Sequence, residues 1–356
     1  MANPFKFGTI VEGDYFTDRV KEIDYIKRLM DSENHLILIS PRRFGKTSLV
    51  KRTIEELHRP CVFVNMQKVV STTDFASVLL KEIFKKHQWE KLKHELARFR
   101  IIPTVTVNPI GESVEVSFRP TTDPTVALED VFALLDRIND SRSRLIVVFD
   151  EFQEIAGLEK GIDKRLRAIM QEQKGLNYIL LGSRESMMTE IFERKRSPFY
   201  HFGMLMHLSK IPYDDFHSYV AERLLSVAGA DSDGLAGEIL SVTDCHPYYT
   251  QQLASQVWTI LAYGEKSKDA VSQAVGQLTQ IHDLDFERLW MSFNNTDKRV
   301  MQTLCRGAKI YEDKSLPTST IYSSVKRLMK TGYIMKTNEY EVEDPFFKQW
   351  IRERML

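Results

Sequence analysis

Short runs of apolar residues alternate with helical patterns over about the first 210 residues of the chain. Residues 35–40 (HLILIS) and 144–151 (RLIVVFDE) each contain a continuous apolar run, as is typical of parallel strands that are buried on both faces. Further runs of this kind lie at residues 61–65, 177–183 and 204–209. Between the strands, apolar residues recur at helical spacing. Strands that alternate with helices predict an α/β fold, with a parallel sheet domain over residues 1–210.

A different pattern interrupts this domain at about residues 101–119. Apolar and polar residues alternate there around the turn sequence Asn108-Pro109-Ile110-Gly111, which predicts an inserted β-hairpin. The hairpin could contact a partner or a neighbouring subunit, or it could be a simple decoration of the domain. The sequence leaves both interpretations open.

The patterns after residue 210 are mainly helical. Residues 211–284 predict a small all-helical domain. Residues 285–356 predict a helix, a second helix and a short hairpin, followed by a last helix. A helix-turn-helix followed by a hairpin resembles a winged helix.

Composition narrows the class of protein. The 356 residues contain 49 Lys and Arg against 49 Asp and Glu, so the whole chain is not a polyanion binder by net charge. No apolar run approaches the ~20 residues of a membrane span, and the N-terminus lacks the pattern of a secretory signal. The cysteines have neither disulfide nor zinc spacing: Cys61, Cys245 and Cys305. We therefore expect a cytoplasmic protein without a membrane partner.

A phosphate-binding pattern follows the first predicted strand. It matches the Walker A pattern G-x-x-x-x-G-K-[ST], except that serine replaces the first glycine. The candidate nucleotide-binding residues are Ser40, Pro41, Arg42, Arg43, Phe44, Gly45, Lys46, Thr47 and Ser48. The position between a buried strand and a helix argues against a chance match.

Each residue type in this loop has a chemical reason. Backbone N–H groups at a helix N-terminus bind phosphates, and Gly45 lets the backbone approach them closely. The Lys46 ammonium suits the β- and γ-phosphates, and the Thr47 hydroxyl suits Mg²⁺. The sequence therefore predicts ATP and Mg²⁺ as cofactors.

The second half of the predicted site ends the strand at residues 144–151. Its apolar run closes with Asp150 and Glu151, which is typical of a Walker B strand. We expect Asp150 to complete the Mg²⁺ shell with Thr47, and Glu151 to polarise the attacking water as general base.

Residues after the fourth predicted strand are candidates for sensing the γ-phosphate. Ser183 ends that strand, and Arg184, Arg194 and Arg196 follow it. An arginine finger acts in cis or in trans by stabilising charge in the transition state. A solvated basic cluster is the simpler interpretation for any one of these arginines.

With these motifs in place, nearly the whole chain resembles the archaeal-type ATPase family, a branch of the P-loop NTPases related to AAA+ and STAND proteins. The resemblance rests on the P-loop, on Asp150-Glu151-Phe152-Gln153, on an N-terminal box and on several later motifs, among them Gly182-Ser183 and Ser197-Pro198-Phe199-Tyr200. The box comprises Asn3-Pro4-Phe5, Phe7-Gly8, Phe16-Thr17-Asp18-Arg19 and Glu22, and the later motifs include His246-Pro247-Tyr248-Tyr249 and Asp344-Pro345-Phe346-Phe347. Cys245 stands where the family's lid motif has a glycine.

The resemblance implies an AAA+-like domain, a helical lid over the nucleotide and a winged helix. It implies that Phe16 and Arg19 lie near the adenine, and that His246 and Pro247 lie near the base or the phosphates. The residues by themselves favour a structural role for His246. Some family members carry a nuclease-like domain after the winged helix, which we do not expect here.

The C-terminal 71 residues, 286–356, carry 13 Lys and Arg against 9 Asp and Glu, a net charge of +4. The candidate recognition helix spans residues 319–331 and includes Lys326, Arg327 and Lys330. Such a helix binds DNA by placing basic residues on phosphates. So modest a charge slightly favours docking of a protein or packing instead.

The sequence thus favours a Mg²⁺-dependent ATPase of the switch or motor kind. The alternative is a nucleotide-controlled DNA-binding regulator with slow or negligible hydrolysis, and a small-molecule kinase is a weaker third hypothesis. An arginine finger in trans would require a homo-oligomer, which the sequence leaves open, as it does a protein partner.

Overall fold

The computed structural model describes residues 2–86, 89–108, 113–119, 123–140, 142–264, 269–311, 317–337 and 339–356. The chain forms two compact units, each of which combines separate segments. The first, which we call the sheet unit, comprises Val20–Ser40 and Leu49–Leu208. The second, the helical unit, comprises Met1–Arg19, Pro41–Ser48 and Ser209–Leu356.

The sheet unit contains a five-stranded parallel sheet and a two-stranded hairpin. Its strands are β1 (Leu36–Ile39), β2 (Cys61–Asn65), β3 (Thr104–Asn108), β4 (Ser113–Ser117), β5 (Ile146–Asp150), β6 (Asn177–Gly182) and β7 (Met204–His207). The sheet has the order β2-β5-β6-β1-β7, and its neighbouring strands are parallel. The predicted α/β fold with a parallel sheet is therefore confirmed.

Burial along the strands follows from this order. Every residue of β1, β5 and β6 is buried, although successive side chains point to opposite faces. Both faces of the central sheet are therefore covered, which explains the continuous apolar runs in the sequence. The strand β7 differs, because it lies at the edge of the sheet and exposes 48% of Met204. Its apolar run resembles those of the buried strands, so the sequence did not reveal the edge position.

Helices and the hairpin complete the sheet unit. The helices are α1 (Val20–Met30), α2 (Lys46–Leu57), α3 (Thr72–Lys86), α4 (Trp89–Leu96), α5 (Pro124–Ile138), α6 (Ile162–Glu172) and α7 (Glu185–Phe192), where the first turn of α2 belongs to the helical unit. The helix α3 contacts β2, α5 and the hairpin strand β4. The hairpin pairs β3 with β4 in antiparallel register, from Thr104 opposite Ser117 to Asn108 opposite Ser113. Its predicted tip, residues 109–111, lies outside the described residues.

The helical unit is built on a single apolar core. Its elements are α8 (Tyr213–Ala228), α9 (Ser232–Thr243), α10 (Pro247–Tyr263), α11 (Ala270–Ile281), α12 (Asp283–Ser292), α13 (Asn295–Cys305), α14 (Thr318–Thr331), β8 (Ile334–Lys336), β9 (Tyr340–Val342) and α15 (Pro345–Arg354). Both α11 and α13 pack on α15, and β8 pairs with β9 in antiparallel register. Trp258 and Trp350 are among the largest fully buried side chains of this core.

The N-terminal segment packs into the same unit. Phe5 is only 4% exposed and belongs to the core that α10 and α15 share. The Asn3 side chain donates to the Ser255 carbonyl of α10 at 3.0 Å. The segment is thus held by helices that follow it by more than 200 residues.

Among the described residues, no helix is both long enough and apolar enough to cross a membrane.

Candidate active site

The loop between β1 and α2 carries the predicted phosphate-binding residues. The strand ends at Ile39 and the helix begins at Lys46, so the loop spans six residues. Gly45 has φ +86°, which suits glycine because it has no Cβ. A Cβ built on Gly45 would meet no atom within 4 Å. Glycine is therefore required here by the backbone angle and not by a lack of space for a side chain. Arg43 also has a positive φ, +64°, which strains a residue that has a side chain.

The helix α2 presents its N-terminus to this loop. Its first N–H groups have no partner within the helix and favour an anion. Lys46 is only 5% exposed, and its Nζ donates to the Pro41 carbonyl at 3.2 Å. The ammonium is therefore held over the loop that precedes its own helix. Thr47 and Ser48 follow in the first turn, and the Ser48 hydroxyl accepts from the Val11 backbone N–H at 2.9 Å.

Within the helical unit, the loop contacts the start of α10. The Arg43 Nη1 donates to the Tyr249 hydroxyl at 2.9 Å, and its guanidinium lies 4.5 Å from the centre of the Tyr248 ring. Phe44 is buried and packs edge-on against His246, with 4.9 Å between the ring centres. The loop is thus braced by aromatic side chains about 200 residues away in sequence, at separations of 202 (Phe44 to His246) and 206 (Arg43 to Tyr249).

His246 caps α10 and is only 1% exposed. Its Nδ1 accepts from the Tyr248 backbone N–H at 3.2 Å, and Pro247 occupies the first helical position, where no N–H is needed. Burial lowers the pKa of His246, and Glu343 opposes this shift. These contacts give His246 a structural role at the start of the helix.

The two N-terminal residues that the resemblance places near adenine differ in their contacts. Arg19 is 3% exposed, and its Nη2 donates to the Ser209 carbonyl at 2.7 Å. Phe16 is half-buried, and its backbone N–H donates to the Gly13 carbonyl at 3.1 Å. Arg19 therefore fastens the N-terminal segment to the beginning of the C-terminal helices.

In the sheet unit, the predicted acids end β5. Asp150 is 5% exposed, and Glu151 has the left-handed backbone φ 55°, ψ 45°, which is rare outside glycine. The Ser183 hydroxyl donates to Glu151 Oε2 at 2.6 Å, and the buried Gln153 side chain donates to the same oxygen. Two hydrogen bonds thus hold a carboxylate on a strained backbone.

The first residue of the Walker A pattern lies at the same edge of the sheet. Ser40 is 1% exposed, and its N–H donates to the Gly182 carbonyl at 3.3 Å. Gly182 ends β6 and precedes Ser183, the residue that donates a hydrogen bond to Glu151. The start of the phosphate loop is therefore hydrogen-bonded to the end of β6, next to the residue that orients Glu151. The carboxyl ends of β1, β6 and β5 meet at this edge because the strands are parallel neighbours.

The predicted arginines flank α7, with Arg184 immediately before the helix and the other two after it. Arg194 is exposed and pairs with Glu190, which lies four residues earlier in the last turn of α7, and Arg196 is exposed. Arg184 lies 3.5 Å from Glu154 in a partly exposed ion pair. Exposed arginines suit contact with another molecule better than contact within their own chain.

The donor groups fit a nucleotide and its metal. Within the helical unit, a loop with a buried lysine and a helix N-terminus suits phosphates. Within the sheet unit, the buried carboxylate that ends β5 is an oxygen ligand of the kind that Mg²⁺ prefers.

Sequence reasoning missed three residues of this arrangement. Gln153 was noted only as part of a motif, and its bond to Glu151 required knowledge of the turn after β5. Tyr249 was likewise named only as part of a motif, and Glu343 was not named, because only the fold brings these two residues toward Arg43.

Comparisons with known proteins agree with this geometry. A family model described as an ATPase domain predominantly from Archaea matches residues 16–253. The Walker-type ATPase PABY2304 of Pyrococcus abyssi has a similar structure, with a TM-score of 0.70 and 16% identity, over 98% of this chain and 99% of that one. The ORC2 protein of Aeropyrum pernix, solved in ADPNP–ADP complexes, has a TM-score of 0.55 and 14% identity, over 99% of both chains. No curated protein matches the chain in sequence.

At such identities the two structures show the fold alone, whereas the family match covers well over half of the 356 residues. The chain therefore belongs to the family of ATPase domains found predominantly in Archaea, and it is a nucleotide-binding, ATP-hydrolysing enzyme.

Proposed function

We propose that this ATPase depends on Mg²⁺ and works as a switch or motor, in which the nucleotide state moves the C-terminal segments. Residues 211–284 are the lid and residues 285–356 are the winged helix. One observation carries the proposal. The carboxylate of Glu151 is fixed by two hydrogen bonds at the sheet edge where β1 leads into the phosphate loop.

The roles follow from the chemistry of each group. Lys46 and the first N–H groups of α2 bind the phosphates, and Thr47 and Asp150 hold the metal. Bound Mg²⁺ supplies charge that stabilises the phosphoryl oxygens. Arg43 and Phe44 keep the loop in shape through their contacts with α10.

Glu151 activates the attacking water. Both of its side-chain hydrogen bonds fall on Oε2, so we assign Oε1 to the water and its proton. A carboxylate fixed in this way keeps its orientation before the nucleotide arrives.

Two variants separate binding from turnover. Lys46→Ala removes the phosphate ligand, so we expect ATP binding to be lost in a fluorescent-nucleotide titration. Glu151→Gln keeps the size of the side chain, so we expect normal binding with turnover reduced about 100-fold or more. Glu154→Gln is the matched control, the same substitution three residues further on. Wild-type turnover in Glu151→Gln would refute the assignment of the base.

The arginines after α7 suggest action between subunits. Arg194 and Arg196 are exposed, so we propose that one of them reaches the nucleotide of a neighbouring copy in a homo-oligomer. Turnover per subunit should then rise with protein concentration, and Arg194→Ala or Arg196→Ala should lower the plateau. A rate independent of concentration, in a protein that stays monomeric, would exclude action in trans.

The second candidate function is nucleotide-controlled DNA binding through α14. Tyr322, Lys326 and Lys330 are all exposed, and their spacing of four residues puts them on one helical face. Arg327 serves elsewhere, because its guanidinium donates to the buried Asp297 at 3.0 Å and 2.5 Å. A basic and aromatic face suits the DNA backbone.

A gel shift over a salt series tests this second candidate. Lys326→Ala and Lys330→Ala should each weaken DNA binding. Each should also reduce the slope of log affinity against log salt concentration by about one, because one fewer counterion is released. Lys164→Ala, which removes an exposed lysine of α6, controls for net charge. The absence of any shift at low salt would leave α14 as a surface for a protein partner.

A further inference from the structure

A chain of hydrogen bonds connects the phosphate loop with the C-terminal segment. The Arg43 guanidinium donates to the Tyr249 hydroxyl at 2.9 Å, and this hydroxyl donates to Glu343 Oε2 at 2.8 Å. All three residues belong to the helical unit. The hydroxyl of Tyr249 is thus both acceptor and donor, and it joins three parts of the chain.

The middle of this chain is buried. Tyr249 is 2% exposed, and its ring packs against His246 and Phe346, at 4.6 Å and 5.8 Å between ring centres. Glu343 Oε1 lies 3.6 Å from His246 Nε2. The Glu343 carboxylate is therefore close to both Tyr249 and His246, which contact Arg43 and Phe44 of the loop. In a low dielectric such bonds strengthen one another, because the ionised acceptor polarises the hydroxyl.

The electrostatics fit this series of hydrogen bonds from Arg43 through Tyr249 to Glu343, which we call the relay. Burial raises the pKa of the Tyr249 phenol, and Asp344 and Glu343 raise it further, so the hydroxyl keeps its proton. Burial acts to lower the pKa of Arg43, but Tyr249 and Glu343 outweigh it, and the net shift is upward. The guanidinium therefore stays charged, and the carboxylate stabilises it through the phenol.

The loop needs such support. Arg43 has φ +64°, a left-handed conformation that is strained for a residue with a Cβ. Side-chain contacts that hold Arg43 and Phe44 select this conformation before the nucleotide binds. Preorganisation of this kind raises affinity, because the ordering is complete in the free protein.

We propose that Tyr249 and Glu343 are positioning residues for the phosphate loop, which act on nucleotide affinity through Arg43. The inference rests on the proposed binding of ATP by this loop. Since energetic coupling is reciprocal, nucleotide binding also changes how firmly Glu343 is held, at the junction between β9 and α15. The relay therefore gives the C-terminal segment a direct response to the nucleotide.

The decisive variant is Tyr249→Phe, which removes one hydroxyl and keeps the packed ring. We expect ATP to bind about tenfold more weakly, with kcat at saturating ATP unchanged. Glu343→Ala should act in the same direction. Tyr178→Phe is the matched control, because this buried tyrosine of β6 also has a hydrogen-bonded hydroxyl, on Gln173, and lies in the sheet unit. It should leave ATP affinity unchanged.

A second background separates positioning from general stability. In Arg43→Ala the hydroxyl has lost the group through which it acts, so Tyr249→Phe should then change ATP affinity less than about twofold. An equal loss in both backgrounds would show a merely structural role and overturn the proposal. So would unchanged affinity in the single variant.

Amide hydrogen exchange gives a readout that does not depend on turnover. Addition of ATP should change exchange in α15 of the wild type, and this response should disappear in Tyr249→Phe. A wild type that binds no ATP would remove the proposed function and the relay together. A wild type that binds ATP, with no response in α15, would remove the relay alone.

Discussion

Replacing Ser183 by alanine removes one of the two hydrogen bonds that hold the proposed catalytic base. Its hydroxyl donates to Glu151 Oε2 at 2.6 Å, and the Gln153 side chain donates to the same oxygen. The substitution takes away a single oxygen atom from a side chain that is 7% exposed. It therefore tests the orientation of Glu151 with little other change.

The expected magnitude follows from these contacts. A hydrogen bond to a charged acceptor contributes about 1.5–3 kcal/mol, and the strained backbone of Glu151 favours other orientations once the bond is lost. The remaining bond from Gln153 offsets part of this loss. We expect a net increase of about 1.4 kcal/mol in the barrier, or about a tenfold lower kcat, with unchanged ATP affinity.

Single-turnover hydrolysis, with ATP affinity measured by titration, separates the two quantities. Thr189→Val is the control, because its hydroxyl also contacts a carboxylate, that of Glu193, at 3.0 Å on the exposed side of α7. If Ser183→Ala weakened ATP binding and kept kcat, the hydroxyl would serve the γ-phosphate, and our assignment of it to Glu151 would be refuted.

Three stability predictions follow from single residues. Gly45→Ala should lower the free energy of unfolding by about 1 kcal/mol, because alanine is strained at φ +86°. Gly276→Ala, on an exposed part of α11, should raise the free energy of unfolding by about 0.5–1 kcal/mol. Urea unfolding in which both substitutions changed stability in the same direction would contradict this reasoning. In the same assay, Asp297→Ala should lower the free energy of unfolding by about 2 kcal/mol, because the buried Ser324 hydroxyl loses its acceptor. Loss of the partly exposed ion pair with Arg327 should add little. Burial, with Arg167, lowers the pKa of His35 to about 4, below the unfolded value of 6.5, so its contribution is present above pH 6.5 and is lost as the pH falls toward 4. Between pH 7 and pH 5, the free energy of unfolding of the wild type should fall by about 2 kcal/mol more than that of His35→Gln. Equal decreases would contradict the lowered pKa of His35.

The parts of the fold that the sequence predicted are those set by local patterns. Consecutive apolar residues indicate strands covered on both faces, and the Gly-Lys-Thr turn between strand and helix indicates a phosphate loop. These signals need no knowledge of distant residues. The parallel sheet and the ends of its central strands therefore agree with expectation.

The contacts that the sequence did not predict depend on strand order and on long-range packing. Ser183 reaches Glu151 because β6 lies beside β5, and no local pattern encodes that neighbourhood. Tyr249 and Glu343 are 94 residues apart, and only the packing of α10 near the end of β9 brings them together. Arg327 shows the same limit in reverse, since the sequence offered it as a phosphate ligand and the fold gives it Asp297 as a partner.

The discontinuous make-up of the helical unit has a consequence for the order of folding during synthesis. Its N-terminal segment and its phosphate loop leave the ribosome well before residues 209–356, with which they pack. Phe5 has no core to enter until α10 and its neighbours exist. The sheet unit is encoded entirely before residue 209, so it is free to fold first, while the nucleotide loop matures last. A polypeptide that ends at residue 208 and is released from the ribosome should therefore form a protease-resistant sheet and have no affinity for ATP.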